Sequence, residues 1–391
     1  AATSAGSGAR GGSGARDVRL FRNGSLVKIW RGDVLKSEPS ATLEATVPIV
    51  AGENHFTAYA FNHDNVKSAD AELTLKGADA LKRAGVAYIL AVGVNKYANL
   101  GYNLKYAVAD ASEFGAELRR QQERLSGYER VELISLYDGE ATKRNILRAL
   151  ADLVARVRPE DALTVYFAGH GTAHENQFYL LPHDLGYAGA RGSLDAAGLR
   201  TMLAHSISDR ELEEAFERVD AGQLLFVIDA CNSGQALEAE EKRRGPMNSK
   251  GLAQLAYEKG MYILTAAQSY QAAHEAARLG HGFLTYALVE EGLKKGEADD
   301  GPRDGELSAR EWFDFATARV PKMQEDLMRD AGKRGLNIAF QFGEEGIADP
   351  DKRSVQRPRA FYRREFGVRQ LIVARPLTIT PPASGAGQSL K

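Results

Sequence analysis

Two short stretches hold the residue types that nucleophilic chemistry needs. Leu224 to Gly234 reads LLFVIDACNSG and contains Cys231, the only cysteine in the chain. Phe167 to Thr172 reads FAGHGT and contains His170 between two glycines. A thiolate is the nucleophile in acyl transfer, and a neighbouring imidazole activates it by taking its proton or, as imidazolium, by lowering its pKa. Each stretch is preceded by an apolar run that reads as a buried strand. If the two strands lie in one parallel sheet, His170 and Cys231 emerge on the same rim. Ligands of such sheets bind there, outside the carboxyl ends of the strands. The flanking glycines let a substrate backbone approach closely. The amides of Gly171 and Cys231 are then candidates for stabilising a tetrahedral oxyanion. Taken singly, each signal has a plainer meaning: a lone cysteine closing a strand is usually a small core residue, and Gly-His-Gly is usually a turn.

The elements that must position these residues follow from hydrophobic pattern. VAYILAVGVN, VELISLY, ALTVYFAGH, LLFVIDA and GMYILTAA read as strands, and helical segments at about 104–121, from Thr142 to about Arg156, and at ELEEAFERV separate them. QFYLLPHD reads as a hairpin or edge excursion. Ser208 with Glu211, and Ser308 with Glu311, are capping boxes that open helices. Strand–helix alternation predicts a three-layer α/β/α domain with a mostly parallel sheet over 84–343. Before it, 17–78 alternates apolar and polar residues around turns such as Asn23-Gly24, which predicts a small all-β, immunoglobulin-like sandwich. Residues 1–16 read as a flexible linker and 344–391 as a wrapping tail. The chain does not open on Met, so a longer or processed protein is expected.

GHGT after one strand and DACNSG after the next resemble the caspase-like cysteine peptidases, in their bacterial and metacaspase-type branch. GVNKYANLGYNLKYAVADA and HGFLTYAL resemble the first strand and helix of that family and the segment opening its small-subunit helix. The resemblance covers about 86–330. It implies that Cys231 is the nucleophile and His170 the general base or acid. It further implies that Asp229, Asp110 and the position of Ala168 line a pocket for Arg or Lys before the cut bond. Family members often carry Ser where Ala168 stands, so one polar contact is lost. Asp229 shares a strand face with Cys231, where a carboxylate makes sense if it meets a cationic substrate group. The polar segment 236–252 carries Lys242-Arg243-Arg244, an expected self-cleavage site. The β unit is expected to be able to bind a protein partner.

Composition narrows the field. With 391 residues, 44% hydrophobic and a formal net charge of -2, the chain carries no broad pull toward nucleic acid or membrane. Expected partners are protein or peptide substrates. One cysteine excludes an internal disulfide, and a cytoplasmic location is expected. No phosphate loop or dinucleotide fingerprint occurs, and Ser233 lacks the nucleophile-elbow pattern. His183-Asp184 and His174 have no metal-binding spacing, so no metal or other cofactor is expected. Calcium is left open, because Glu238–Glu241 and Asp299–Asp304 form no recognisable binding loop. The rival expectation, from a different class, is a catalytically idle scaffold or adaptor of the same fold.

Overall fold

The computed structural model describes residues 2–3, 13–175, 177–232, 250–266, 280–301, 303–333, 356–362 and 371–375. The N-terminal region is antiparallel β. Arg16–Arg22 (β1), Ser25–Asp33 (β2), Gly52–Phe61 (β3) and Ala71–Gly77 (β4) form a four-stranded sheet in the order β2-β1-β3-β4. Asn23 (φ 49°) and Gly24 (φ 80°) join β1 to β2, the left-handed pair that a two-residue hairpin with the right twist requires.

The α/β domain is built on an eight-stranded sheet. Its strands are Val86–Gly93 (β5), Arg130–Tyr137 (β6), Ala162–His174 (β7), Gln177–Leu181 (β8), Ile207–Ser208 (β9), Gln223–Asn232 (β10), Tyr262–Ala266 (β11) and an edge strand at Arg359–Phe361. The core order is β6-β5-β7-β10-β11, all parallel. Beyond β11, Arg359–Phe361 adds antiparallel. All eight residues of β5 are buried, as expected of a central strand covered on both faces.

Two helical layers cover the sheet. On one face, Ile146 and Leu150 of α2 (Lys143–Arg156), Leu212 and Phe216 of α4 (Asp209–Glu217) and Ala256 of α5 (Lys250–Lys259) pack with Leu90, Val165, Phe226 and Ile263. The short α3 (Ala196–His205) contributes Met202 to the same cluster. On the other face, Phe114 of α1 (Ala107–Leu125) packs with Leu288 of α6, Trp312 of α7 (Ala309–Lys333), Tyr166, Val227 and Leu264. α6 spans Phe283–Thr285 and continues as a π-helix over Tyr286–Lys294. The strand residues alternate between these two clusters, which is the period of two that a strand imposes. Helix starts follow the local chemistry. Thr142 Oγ1 accepts from Asn145 N at 3.2 Å, and the Ser208–Glu211 box is complete. Ser308 and Glu311 make the same reciprocal bonds before α7.

The β unit is fastened to α4 and α5 by buried charge. Arg22 donates to both carboxylate oxygens of Asp220, at 3.0 and 2.7 Å, and to Pro48 O at 2.6 Å. Arg19 Nε reaches Glu258 Oε1. Lys259, also buried, donates its Nζ to Leu26 O at 2.6 Å and Glu217 O at 3.1 Å. Burial pulls this amine's pKa down to about 8.

Candidate active site

β7 is longer than its neighbour β5, and its pairing changes along its length. Its first half pairs with β5, up to Gly93 opposite Ala168, and its far end pairs antiparallel with β8, Leu181 opposite His170. On its other side β10 runs parallel to it from Ala162 to Gly171, and there Cys231 is the Cα partner of His170. The expected juxtaposition of the two strand ends is thus present in the backbone register. Two residues back, Asp229 is the Cα partner of Ala168, and one residue on, Asn232 is that of Gly171.

His170 is 2% exposed and clasped by the loop that follows β5. Its Nε2 lies 2.8 Å from Tyr102 O. A carbonyl only accepts, so Nε2 carries the proton and Nδ1 holds the lone pair of the neutral ring. Nδ1 is buried without a hydrogen-bond partner among the described residues. The Tyr97 ring lies 5.1 Å from the imidazole, and Tyr102 meets it edge-on at 5.9 Å. Tyr97 Oη accepts from His170 N at 2.8 Å and donates to Leu181 O at 3.4 Å. Burial, then the nearby Arg191 charge, pull the His170 pKa down to about 3, against the Tyr102 bond. The resting ring is neutral, because desolvation penalises its charged form. A neutral imidazole with a free Nδ1 lone pair is equipped to accept a proton.

The glycines beside His170 have a packing reason in addition to any substrate approach. A Cβ on Gly171 would stand 2.7 Å from the Phe178 ring and 3.2 Å from Ala230 Cβ, and one on Gly169 would stand 3.0 Å from Tyr97 Oη.

The two acidic residues are each held by positions at the start of α6, Asp110 by His281 and Gly282 and Asp229 by Thr285. Asp229 is buried, and Oδ2 accepts from Thr285 Oγ1 at 3.2 Å. Thr285 Oγ1 in turn lies 2.6 Å from Tyr166 Oη. Asp110, equally buried, accepts at Oδ1 from His281 Nδ1 (2.9 Å) and Gly282 N (3.1 Å), and at Oδ2 from Gly282 N (3.2 Å). Burial raises the Asp110 pKa against these bonds. Burial, followed by the Asp229 and Asp110 charges, raises Tyr166 well above its ordinary value, so both carboxylates act on one phenol. Ala168 is buried between Gly93 and Asp229.

Tyr97, Tyr102, Tyr166, Thr285 and His281 were not singled out from sequence. Tyr97, Tyr102 and His281 lie inside the family-like stretches quoted above, but only the fold shows what they touch. Lys242, Arg243 and Arg244 lie outside the described residues. Of the rejected metal candidates, His183 Nδ1 is 2.6 Å from Lys96 O and Asp184 accepts from Lys143 N. Among the described residues no group of three or more His, Cys, Asp or Glu side chains could hold a metal ion, and no helix is long and apolar enough to cross a membrane.

A caspase-domain family model matches residues 86–334. The chain belongs to the caspase-domain family. Among curated proteins, the caspase domain is similar to Metacaspase-3 of Arabidopsis thaliana, 33% identical over 158 residues, covering 37% of this chain and 39% of that one. Metacaspase-1A of Neurospora crassa is 28% identical over 162 residues, covering 37% and 32%. Metacaspase-1B of Aspergillus oryzae is 27% identical over 273 residues, covering 64% and 58%. The chain therefore spans about a third to a little over half the length of these relatives. The family is one of peptidases acting on proteins.

Proposed function

We propose that this chain is a cysteine endopeptidase whose dyad is Cys231 and His170. One observation carries the reading: Cys231 and His170 are register partners on adjacent parallel strands, with a buried, unpartnered Nδ1 on the imidazole. In this mechanism Nδ1 accepts the thiol proton and sulfur forms a bond to the scissile carbonyl carbon. The Gly171 and Cys231 amides stabilise the resulting oxyanion. The C–N bond then breaks as His170 returns the proton to the leaving amine. Water, deprotonated by the same ring, releases the acyl group from sulfur. The Tyr102 carbonyl holds Nε2–H and stabilises the imidazolium that forms in each half-reaction.

The same reading assigns specificity for Arg or Lys to Asp229 and Asp110, with Ala168 on the pocket wall. It assigns self-processing to the segment 236–252, at Lys242-Arg243-Arg244. The burial of His170 favours one rival, an idle caspase-fold scaffold whose histidine is only a packed core residue. Assay of purified wild type, Cys231→Ala and His170→Ala on fluorogenic peptides ending in Arg separates the two. The peptidase reading expects cleavage by wild type alone, with all three chains folded. Equal rates for wild type and Cys231→Ala, or none for wild type after loop cleavage, would favour the scaffold. Mass spectrometry of wild type and Cys231→Ala incubated alone tests the loop: wild type should divide near residue 244 and the variant stay whole.

A further inference from the structure

The nearest neighbour of the Asp110 carboxylate is a titratable cation of this chain. His281 Nδ1 donates to it at 2.9 Å, and the imidazole is the more exposed partner, 20% against 5% for the aspartate side chain. The Nδ1 proton is committed to the carboxylate in both charge states of the ring. The proton that comes and goes is therefore the one on Nε2. Among the described residues, three carboxylates face His281. α1 presents Asp110 and Glu113, and α6 presents Glu290. Lys294 pairs with both Glu113, at 2.6 Å, and Glu290, at 2.5 Å. That lysine offsets the two glutamates and leaves Asp110 as the direct partner. The Asp110 bond holds the His281 pKa above its ordinary value.

We propose that His281 is a specificity-determining residue that sets the charge of the acidic pocket: protonated, it cancels Asp110 and leaves Asp229 as the net charge; neutral, it leaves both carboxylates to a basic substrate side chain. This deepens the Arg/Lys reading above and rests on it. The pocket then discriminates most sharply for basic residues once pH has risen past the His281 titration. One added unit charge a few ångström from the ligand, screened to nearly the dielectric of water, corresponds to about a tenfold gain in affinity for a cation. Binding linkage is reciprocal, so a bound guanidinium must also lower the His281 pKa.

The test uses two peptides that differ only in Arg or its neutral isostere citrulline before the cut bond. Ionisation of Cys231 and His170 affects both peptides alike and cancels in the ratio of their kcat/KM values. In wild type the Arg-to-citrulline ratio should rise about tenfold between pH 6 and 8.5, carried by KM. In His281→Gln, which keeps a neutral donor, the ratio should be flat. A flat ratio in wild type, or the same rise in both proteins, overturns the proposal. A second arm needs no turnover: NMR titration of His281 in the full chain, with and without agmatine. Its pKa should fall on adding agmatine, and fall toward the ordinary value in Asp110→Asn. A chain that cleaves neither peptide but shows both responses keeps the pocket and loses the peptidase reading. A chain that prefers Arg while His281 ignores pH and agmatine keeps the peptidase and loses this proposal.

Discussion

Arg19 and Glu258 stand 239 positions apart in the chain and 2.7 Å apart in space. Both are buried, so the β unit and α5 share a desolvated ion pair. Removing one partner of such a pair strands the other charge, which costs about 3 kcal/mol or more. We expect Arg19→Ala to lower the denaturant midpoint of the full chain, and Arg19→Ala/Glu258→Ala to recover much of the loss. A loss in the double variant equal to the sum of the Arg19→Ala and Glu258→Ala losses would show that the pair itself contributes little.

Acid should act on the fold through His170. Its native pKa is about 3 against an ordinary 6.5. Between those values the unfolded chain binds the proton and the native chain does not, so this residue's contribution makes stability fall as pH drops from 6.5 toward 3. His170→Gln should flatten that part of the curve. Urea melts at half-unit pH steps, with wild type and variant side by side, read it directly.

Tyr97 tests how the imidazole is held. Tyr97→Phe keeps the ring beside His170 and deletes the hydroxyl that accepts His170 N and donates to Leu181 O. An unsatisfied buried amide costs about 1–3 kcal/mol. The variant should be less stable by that amount. Peptide hydrolysis should lose kcat more than KM if the displaced group is the proposed base.

Thr285 tests the pocket from behind. Thr285→Val removes the donor to Asp229 while keeping volume. It should raise KM for peptides ending in Arg about tenfold, as expected when one hydrogen bond to a charged group is lost. Unchanged KM for those peptides would detach Asp229 from recognition.

Gly171→Ala would place a Cβ 2.7 Å from the buried Phe178 ring. Overpacking of this kind costs about 1–3 kcal/mol. Thermal melts of the pure variant should show the loss, and a paired Phe178→Leu change should recover part of it.

Much of this architecture was legible because it depends on period. The five apolar runs became parallel strands, and both capping boxes formed where Ser208 and Ser308 predict them. The register pairing of His170 with Cys231 was legible because each residue closes an apolar run, although β7 itself continues to His174. What was not legible depends on contacts across distant segments. His281 and Asp110 are 171 positions apart, and no local pattern marks a histidine as the partner of one aspartate. The same holds for Tyr166 and Thr285. The neutral state of the His170 ring was not legible either, because it follows from burial, which sequence does not give. The fastening of the β unit through Arg19, Arg22 and Lys259 was likewise invisible, since basic residues on a strand ordinarily face solvent.

The side-by-side register of β7 and β10 makes the alignment of His170 with Cys231 a property of the whole strand pair. Side chains alternate faces along a strand, so a slip of one residue between these two would send the dyad to opposite sides of the sheet. Such a slip would also move Tyr166 and Val227 out of one core and Phe167 and Ile228 out of the other. Error-proofing of the proposed chemistry is therefore distributed over core residues of the two strands. Variation in the surrounding loops should leave the alignment intact, whereas volume changes at Tyr166, Phe167, Val227 or Ile228 would be felt several residues away, as lost turnover in a chain that still folds.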